Sequence, residues 1–276
     1  MRRTWTGSTE PIDQMDDTSR KNLAANSRTF GPEGSMTDQT GISIFDPVLT
    51  ELMYKWFCPI GGSIIDPFAG GSVRGVVASK LGFNYCGFDL SKRQIEANIE
   101  QGKRLCENQP TWINADSEDI PKHIKKQEFD MLFTCPPYAF LEVYSDDPKD
   151  LSTMDYKDFL SSYESIINKA CATLKDNTFA VIVVGEVRDK KTGCYVGFVP
   201  DTIRAFEKAG LKYYNEMILV TAIGSLPLRA GRAFSASRKI GKTHQNVLVF
   251  IKGDAKKASS GLTDSGLAEA TVGAGE

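Results

Sequence analysis

Short apolar runs alternate with longer segments of helical periodicity along most of this chain. Apolar residues recur at helical spacing within 48–57, 72–81, 91–106, 155–174 and 199–209. Seven other runs have the length and composition of strands, and they lie at 62–66, 84–89, 111–115, 129–134, 178–184, 213–221 and 246–252. This alternation predicts an α/β protein with a doubly wound, mostly parallel sheet of seven strands. Such sheets bind ligands at the carboxyl ends of their strands.

Polar and small residues flank the alternating region. Residues 1–40 are polar and interrupted by glycine and proline, which predicts an arm that adds little to a core. Residues 254–276 are rich in alanine, glycine and serine and lack aromatic residues, which predicts a disordered tail. The folded domain is therefore expected to span residues 41–253.

The composition is that of an ordinary globular protein. Of the 276 residues, 41% are hydrophobic and 25% are charged, and this length fits one undivided α/β domain. No apolar run approaches the roughly 20 residues of a membrane helix, and the N-terminus lacks the apolar core of a signal peptide. Six scattered cysteines and two histidines show no zinc-binding spacing. We therefore expect a reduced, cytoplasmic protein without a metal ion.

The first candidate ligand-binding segment is 64–72, with the sequence IIDPFAGGS. It passes from a short strand through Asp66 and two glycines into a helix. Glycines at such a junction allow the backbone to approach a nucleotide closely. The next two strands also end in acids, Asp89 and Asp116. An acid at the end of the second strand can accept hydrogen bonds from ribose hydroxyls.

The second candidate segment is 129–138, with the sequence FDMLFTCPPY. Its apolar run predicts a buried strand, and the two prolines end that strand because neither can donate to a sheet ladder. Tyr138 then presents an aromatic face at the carboxyl end of the strand, beside carbonyl groups that no helix uses. This geometry suits a flat ring that carries an exocyclic amine. A simple turn is the alternative, but the three preceding strands that end in acids favour a ligand site.

Together these motifs resemble the S-adenosylmethionine-dependent amino-methyltransferases of DNA, which act on adenine N6 or cytosine N4. That family has a cofactor loop written Asp-Pro-Phe-x-Gly-x-Gly and a catalytic Pro-Pro-Tyr or Pro-Pro-Phe preceded by Asp, Asn or Ser. The resemblance covers roughly residues 41–253, includes the segment 43–49 (SIFDPVL), and is strongest to phage and prophage enzymes. It implies a Rossmann-like class I methyltransferase fold whose last strand runs antiparallel.

The resemblance also implies a set of site residues. The cofactor S-adenosylmethionine would contact Phe45, Asp46, Pro47, Asp66, Pro67, Phe68, Gly70, Gly71, Asp89, Asp116 and Thr134. Within that set, Asp66 to Gly71 would surround the methionine end, Asp89 would bind the ribose hydroxyls, and Asp116 would bind the adenine amine. The catalytic group would be Cys135, Pro136, Pro137 and Tyr138. Tyr138 would stack on a target base that has left the duplex.

Two departures from the family pattern leave alternatives open. Gly70-Gly71-Ser72 replaces Gly-x-Gly, and Cys135 replaces Asp, Asn or Ser. A thiol sulfur accepts hydrogen bonds weakly, so one alternative is an inactive methylase fold that binds DNA or regulates. A second is a covalent cysteine nucleophile of the type that methylates cytosine C5, although those enzymes resemble a Pro-Cys order. A third is an RNA methylase that acts on guanine N2 or adenine N6.

Charge is concentrated in one part of the chain. The net charge is −2, and because DNA affinity comes from phosphate neutralisation, only a local cluster of cations could supply it. Residues 228–243 hold five cations and no acid, and their glycines and serines predict a flexible loop. By resemblance, this entrance to the last strand implies DNA contacts from Arg229, Arg232, Arg238, Lys239, Lys242 and His244. A solvated face is the alternative.

Overall fold

A computed structural model describes residues 45–126, 128–138, 147–221 and 226–262. The chain divides into a larger unit, Ile44–Leu219 with His244–Glu276, and a smaller unit, Met1–Ser43 with Val220–Thr243. The predicted arm, residues 1–40, lies outside the described residues, as does most of the predicted tail. Among the helices that the structure describes, none is long and apolar enough to cross a membrane.

Seven strands form one sheet in the order β3-β2-β1-β4-β5-β7-β6. Their bounds are Ser63–Asp66 (β1), Asn84–Asp89 (β2), Thr111–Asn114 (β3), Phe129–Thr134 (β4), Leu174–Val184 (β5), Lys212–Val220 (β6) and His244–Lys252 (β7). Strands β1 to β5 pair in parallel, whereas β7 pairs with β5 in antiparallel register. The predicted doubly wound, mostly parallel sheet is confirmed, and so is the antiparallel last strand.

For five helices, the predicted first and last residues agree with the structure to within two residues. They are Pro47–Phe57 (α1), Val73–Lys80 (α2), Lys92–Leu105 (α3), Tyr156–Ala172 (α5) and Phe198–Lys208 (α6). Three further α-helices that the structure describes lie outside those predicted ranges, namely Ile120–His123 (α4), Leu226–Ser237 (α7) and Ala255–Ser259 (α8). The last of these forms where the sequence indicated a disordered tail, because the Asp254 carboxylate caps its first turn.

Helix α7 corrects the prediction of a flexible loop over residues 228–243. Pro227 lies in the first turn of α7, where its missing N–H and fixed backbone are compatible with a helix. The helix ends at Ser237, and the next residue, Arg238, is a non-glycine residue in the left-handed region with a φ of 56°. Its N–H donates to the Phe234 carbonyl at 2.8 Å, and its guanidinium lies 4.9 Å from the Phe234 ring centroid. The loop prediction was wrong for residues 228–237, because Gly231, Ser235 and Ser237 are accommodated within the helix, whereas residues 238–243 form neither helix nor strand.

The central strands are buried on both faces of the sheet. The even-numbered residues of β5 from Ala180 to Val184 pack in the apolar cluster that includes α5 and α6. The odd-numbered residues from Phe179 to Val183 pack in the cluster that includes α1, α2 and α3. Successive side chains of a strand point to opposite faces of the sheet, so the apolar residues of these parallel strands need helices packed on both faces. The loops at the carboxyl edge are the part of the sheet where polar side chains collect.

Candidate active site

Asp66, the last residue of β1, lies at the centre of the candidate site and is completely buried. Its Oδ1 accepts hydrogen bonds from the Phe68 N–H at 3.1 Å and the Thr134 hydroxyl at 2.6 Å. Its Oδ2 accepts from the Tyr85 hydroxyl at 2.7 Å and from Arg74 Nε at 2.6 Å. One carboxylate thus connects the glycine loop, α2, β2 and the end of β4.

Arg74 forms a buried ion pair with this carboxylate. Its guanidinium also donates to the carbonyls of Phe68 at 2.6 Å and Ala69 at 3.0 Å, which fixes the path of the loop. Burial alone would lower the pKa of Arg74, but the adjacent Asp66 carboxylate reverses that effect and the pKa is raised. In this buried pair each partner offsets a charge that would otherwise be costly to bury.

Tyr85 reaches Asp66 because Gly87 leaves room for its ring. A Cβ on Gly87 would lie 2.7 Å from the Tyr85 hydroxyl and 2.8 Å from the Ala69 Cβ. The two residues face the same side of β2, since side chains alternate along a strand. A Cβ at position 87 would collide with Tyr85, so only glycine allows the Tyr85 hydroxyl to reach the Asp66 carboxylate and donate to it.

The glycine loop is fastened to the end of β2. The Gly70 N–H donates to Asp89 Oδ2 at 2.9 Å, while the Gly70 carbonyl accepts from the Asn98 amide at 2.7 Å. Gly70 has a φ of 51°, which favours glycine. The other Asp89 oxygen accepts from the Ser91 N–H at 2.8 Å. Burial raises the pKa of Asp89, and the N–H groups of Ser91 and Gly70 partly oppose that rise.

Asp116 is held close to the glycine loop by a hydrogen bond from the next residue, Ser117. The Ser117 hydroxyl donates to the Pro67 carbonyl at 2.5 Å, which holds the turn after β3 against the turn after β1. Asp116 Oδ1 accepts from the Glu118 N–H at 2.9 Å, and Oδ2 lies 3.7 Å from Lys149 Nζ. The structure therefore brings the three predicted acids to one edge of the sheet.

The segment before the loop has a capping role. Asp46 caps α1 by accepting hydrogen bonds from the first-turn N–H groups, and Pro47 occupies the first helical position. Phe45 packs edge-on against Phe133 with ring centroids 5.7 Å apart, and the Arg74 guanidinium lies 4.6 Å from the Phe45 ring centroid. Phe45 thus lies against the buried arginine and the end of β4.

Residues 135–138 leave the sheet directly after Thr134. Because the Thr134 hydroxyl is bound to Asp66, the start of this turn has a fixed position relative to the glycine loop. Cys135 is partly exposed and packs against the apolar cluster beside α1 and α2. Pro136 is buried, whereas Pro137 and Tyr138 are partly exposed.

Tyr138 is held by three different elements. Its ring meets Phe198 of α6 at an interplanar angle of 74° with centroids 6.0 Å apart. A Cβ on Gly185, just after β5, would lie 3.5 Å from its hydroxyl. Gln245 Nε2 donates to that hydroxyl at 2.5 Å from the start of β7.

Sequence reasoning missed Gln245 and selected its neighbour His244. Strand alternation puts the two side chains on opposite faces of β7, so only the pairing register could show which one meets Tyr138. In that register Val184 pairs with Asn246, which places Gln245 beside Gly185, the residue that follows β5. His244 is partly exposed.

The remaining predicted DNA contacts belong to the smaller unit. Arg232, Arg238 and Lys239 are exposed, and Lys242 is partly exposed. Arg229 lies in α7, and its side chain falls outside the described residues. Among the residues that the structure describes, no group of three or more His, Cys, Asp or Glu side chains is placed to hold a metal ion.

Comparison with known proteins finds structural likeness only. No family model and no curated protein sequence matches the chain. TrmN from Thermus thermophilus superposes with a TM-score of 0.51 at 13% identity, over 75% of this chain and 49% of that one. This chain therefore spans about half the length of TrmN. A protein from Bacillus halodurans proposed to be a methyltransferase has a TM-score of 0.51 at 11% identity, covering 76% of this chain and 99% of that chain.

These superpositions identify the fold. This chain has the class I methyltransferase fold. The cyclase SpnF also superposes, with a TM-score of 0.51 at 12% identity over 75% of this chain and 80% of its own. Because the fold also occurs in a protein named as a cyclase, the reaction must be argued from the site residues.

We expect Arg74→Met to destabilise the protein by about 3–5 kcal/mol, because it leaves the Asp66 carboxylate buried without its charged partner. Chemical denaturation followed by circular dichroism would measure the loss. Arg93→Met is the matched control, since Arg93 is exposed on α3 and surface changes usually stay within about 0.5 kcal/mol. Equal midpoints for the two variants would show that the buried ion pair does not hold the fold.

Proposed function

We propose that this protein transfers a methyl group from S-adenosylmethionine to the exocyclic amine of adenine (N6) or cytosine (N4) in DNA. One observation carries the proposal. The Cys-Pro-Pro-Tyr turn and the glycine loop lie at the same edge of the sheet, and the Asp66 carboxylate accepts hydrogen bonds from Phe68 in the loop and from Thr134, the residue that precedes the turn. A methyl donor over the loop and an amine over the turn would therefore lie beside each other.

The glycine loop fits the proposed cofactor. A Cβ at Gly70 or Gly71 would meet no atom within 4 Å, so the loop borders open space. Asp89 is partly exposed beside that space, and each of its oxygens accepts one backbone hydrogen bond. A carboxylate offers about four acceptor sites, which leaves capacity for ribose hydroxyls. Phe68 is partly buried and stacks at 6.0 Å on Tyr163.

In this proposal Asp66 has a positioning role at the methionine end. Its four donors already surround both carboxylate oxygens, so it holds the loop through Arg74 and Phe68. Asp116 would accept from the adenine amine of the cofactor. Phe45, Asp46 and Pro47 would border the same space, and Thr134 would set the distance between loop and turn.

Bound S-adenosylmethionine would supply a methyl group that its sulfonium charge already activates. The chain's task is to orient the amine, whose lone pair is delocalised into the base. The Pro136 carbonyl and the Cys135 sulfur would accept hydrogen bonds from that amine and localise the lone pair. Most of the rate would come from alignment, which is worth up to about 7–11 kcal/mol. Tyr138 would stack on the extruded base.

The proposed DNA contacts include the cations around α7. Arg229, Arg232, Arg238, Lys239 and Lys242 together with His244 would meet phosphates or the target base. Five of these six residues, Arg232, Arg238, Lys239, Lys242 and His244, are exposed or partly exposed. Arg229 and Arg232 lie in α7 and the other three cations follow it, and either placement allows phosphate contacts, because phosphate binding depends on the number of cations that reach the DNA backbone.

Methylated nucleosides test the proposal directly. Purified protein with methyl-labelled cofactor would be offered duplex DNA, single-stranded DNA and RNA of one sequence, and the digests analysed by mass spectrometry. We expect N6-methyladenine or N4-methylcytosine in DNA. Label in RNA alone would favour the RNA methylase, and cofactor binding without any transfer would favour an inactive module.

Asp89→Ala should weaken S-adenosylmethionine binding by about 1–3 kcal/mol, the usual cost of removing a charged hydrogen-bond partner. The variant also frees the Gly70 N–H, so the loop itself should loosen. Titration calorimetry measures the affinity, with Asp158→Ala on the exposed face of α5 as the control. Unchanged affinity in the Asp89 variant would remove the ribose assignment.

Cys135→Ser should retain methyl transfer, because serine is one of the family's usual residues at this position. Tyr138→Ala should cost more, since stacking of a base on an aromatic ring is worth about 1–3 kcal/mol. Single-turnover rates would compare the two variants. A covalent cysteine would give the opposite result: Cys135→Ser would be inactive, and wild-type protein would form a stable adduct with DNA that contains 5-fluorocytosine.

A further inference from the structure

A short hairpin, residues 187–196, follows β5 at the carboxyl edge of the sheet. Its arms meet in an antiparallel bridge between Arg188 and Tyr195. The Asp189 carboxylate closes the turn by accepting the Thr192 N–H at 2.6 Å. We name residues 187–196 the β5–α6 hairpin.

Both ends of the β5–α6 hairpin adjoin the residues that contact Tyr138. Gly185, which lies close to the Tyr138 hydroxyl, precedes the hairpin by two residues. Glu186 Oε1 accepts from the N–H groups of Gly197 at 3.0 Å and Phe198 at 2.8 Å, which joins the hairpin base to the start of α6. Phe198 in turn packs against the Tyr138 ring. The hairpin is therefore fixed beside the proposed target-base site.

The β5–α6 hairpin carries three cations and one acid. Lys190 and Lys191 are exposed, and Arg188 is partly exposed. Within the described part of the chain, none of these cations forms an ion pair closer than 4.0 Å. The acid, Asp189, directs its carboxylate into the turn, where hydrogen bonds from Thr192 lower its pKa.

Arg188 and Tyr195 form an ordered pair at this surface. The guanidinium lies 3.9 Å from the tyrosine ring centroid, and Nη1 donates to the Gly193 carbonyl at 2.8 Å. Tyr195 is 47% exposed although its ring is large and apolar. A guanidinium has five N–H donors and matches phosphate geometry. An exposed ring beside it can stack on a sugar or a base.

We propose that the β5–α6 hairpin binds the sugar-phosphate backbone of DNA beside the target base. This inference rests on the proposed function. The protein carries a net charge of −2, so attraction to DNA must come from cations placed locally at the site. The hairpin supplies three of them on a backbone that is already ordered by its bridge and turn. It would hold the strand that flanks the extruded base, while Tyr138 holds the base.

The triple variant Arg188→Gln, Lys190→Gln, Lys191→Gln tests this surface in the full chain. Affinity for a fluorescent duplex would be measured by anisotropy over a series of salt concentrations. We expect the log–log salt slope to fall by about 2–3, since each phosphate contact contributes about 0.9. The KM for DNA should rise, while kcat at saturating DNA and the affinity for S-adenosylmethionine stay within about twofold.

The matched control removes the same charge from the opposite edge of the sheet. Lys126, Lys256 and Lys257 are exposed there, and Lys→Gln at all three should leave the slope unchanged. An unchanged slope in the hairpin variant, or an equal fall in both variants, would overturn the proposal even if the wild type methylates DNA. Loss of slope with RNA but not with DNA would also overturn it. If the wild type transfers no methyl group to DNA, the proposed function itself fails.

Discussion

A single buried carboxylate organises the edge of the sheet that holds the candidate site. Asp66 is fully enclosed, and its donors come from the glycine loop, α2, β2 and β4. Leaving any one of them unpaired in this environment would cost on the order of 1–3 kcal/mol, and more for the charged Arg74. The four elements therefore stabilise one another through this carboxylate, and the position of the loop depends on all of them.

This arrangement fixes the glycine loop relative to the end of β4. The Phe68 N–H and the Thr134 hydroxyl bind the same carboxylate oxygen, at 3.1 and 2.6 Å. Phe68 lies in the loop, and Thr134 precedes the Cys-Pro-Pro-Tyr turn. Tyr138, at the other end of that turn, is restrained by Gln245 and Phe198. Both ends of the turn are thus anchored, which favours chemistry that depends on alignment.

The sequence predicted most of the fold because the strands follow simple rules of burial. Central strands are apolar on both faces, and the helices between them keep a regular spacing. Such rules do not predict hydrogen bonds between residues that are far apart in the sequence. Asp66, for example, bonds to Tyr85 and Thr134, which lie 19 and 68 residues away. For the same reason Gln245 was missed in favour of His244, and α7 was mistaken for a loop because local composition does not report the contacts that stabilise a helix.

Under the proposed function, a thiol at position 135 in place of the resembled family's Asp, Asn or Ser would cost little. A typical hydrogen bond contributes about 0.5–1.5 kcal/mol, and a weak sulfur acceptor forfeits only part of that. Alignment can contribute up to about 7–11 kcal/mol, several times more. Since Thr134 is bound to Asp66 at 2.6 Å, the backbone that carries residue 135 and the Pro136 carbonyl keeps its position whichever side chain stands at 135. The anchored backbone, more than the side chain it presents, would determine whether the amine meets the methyl group.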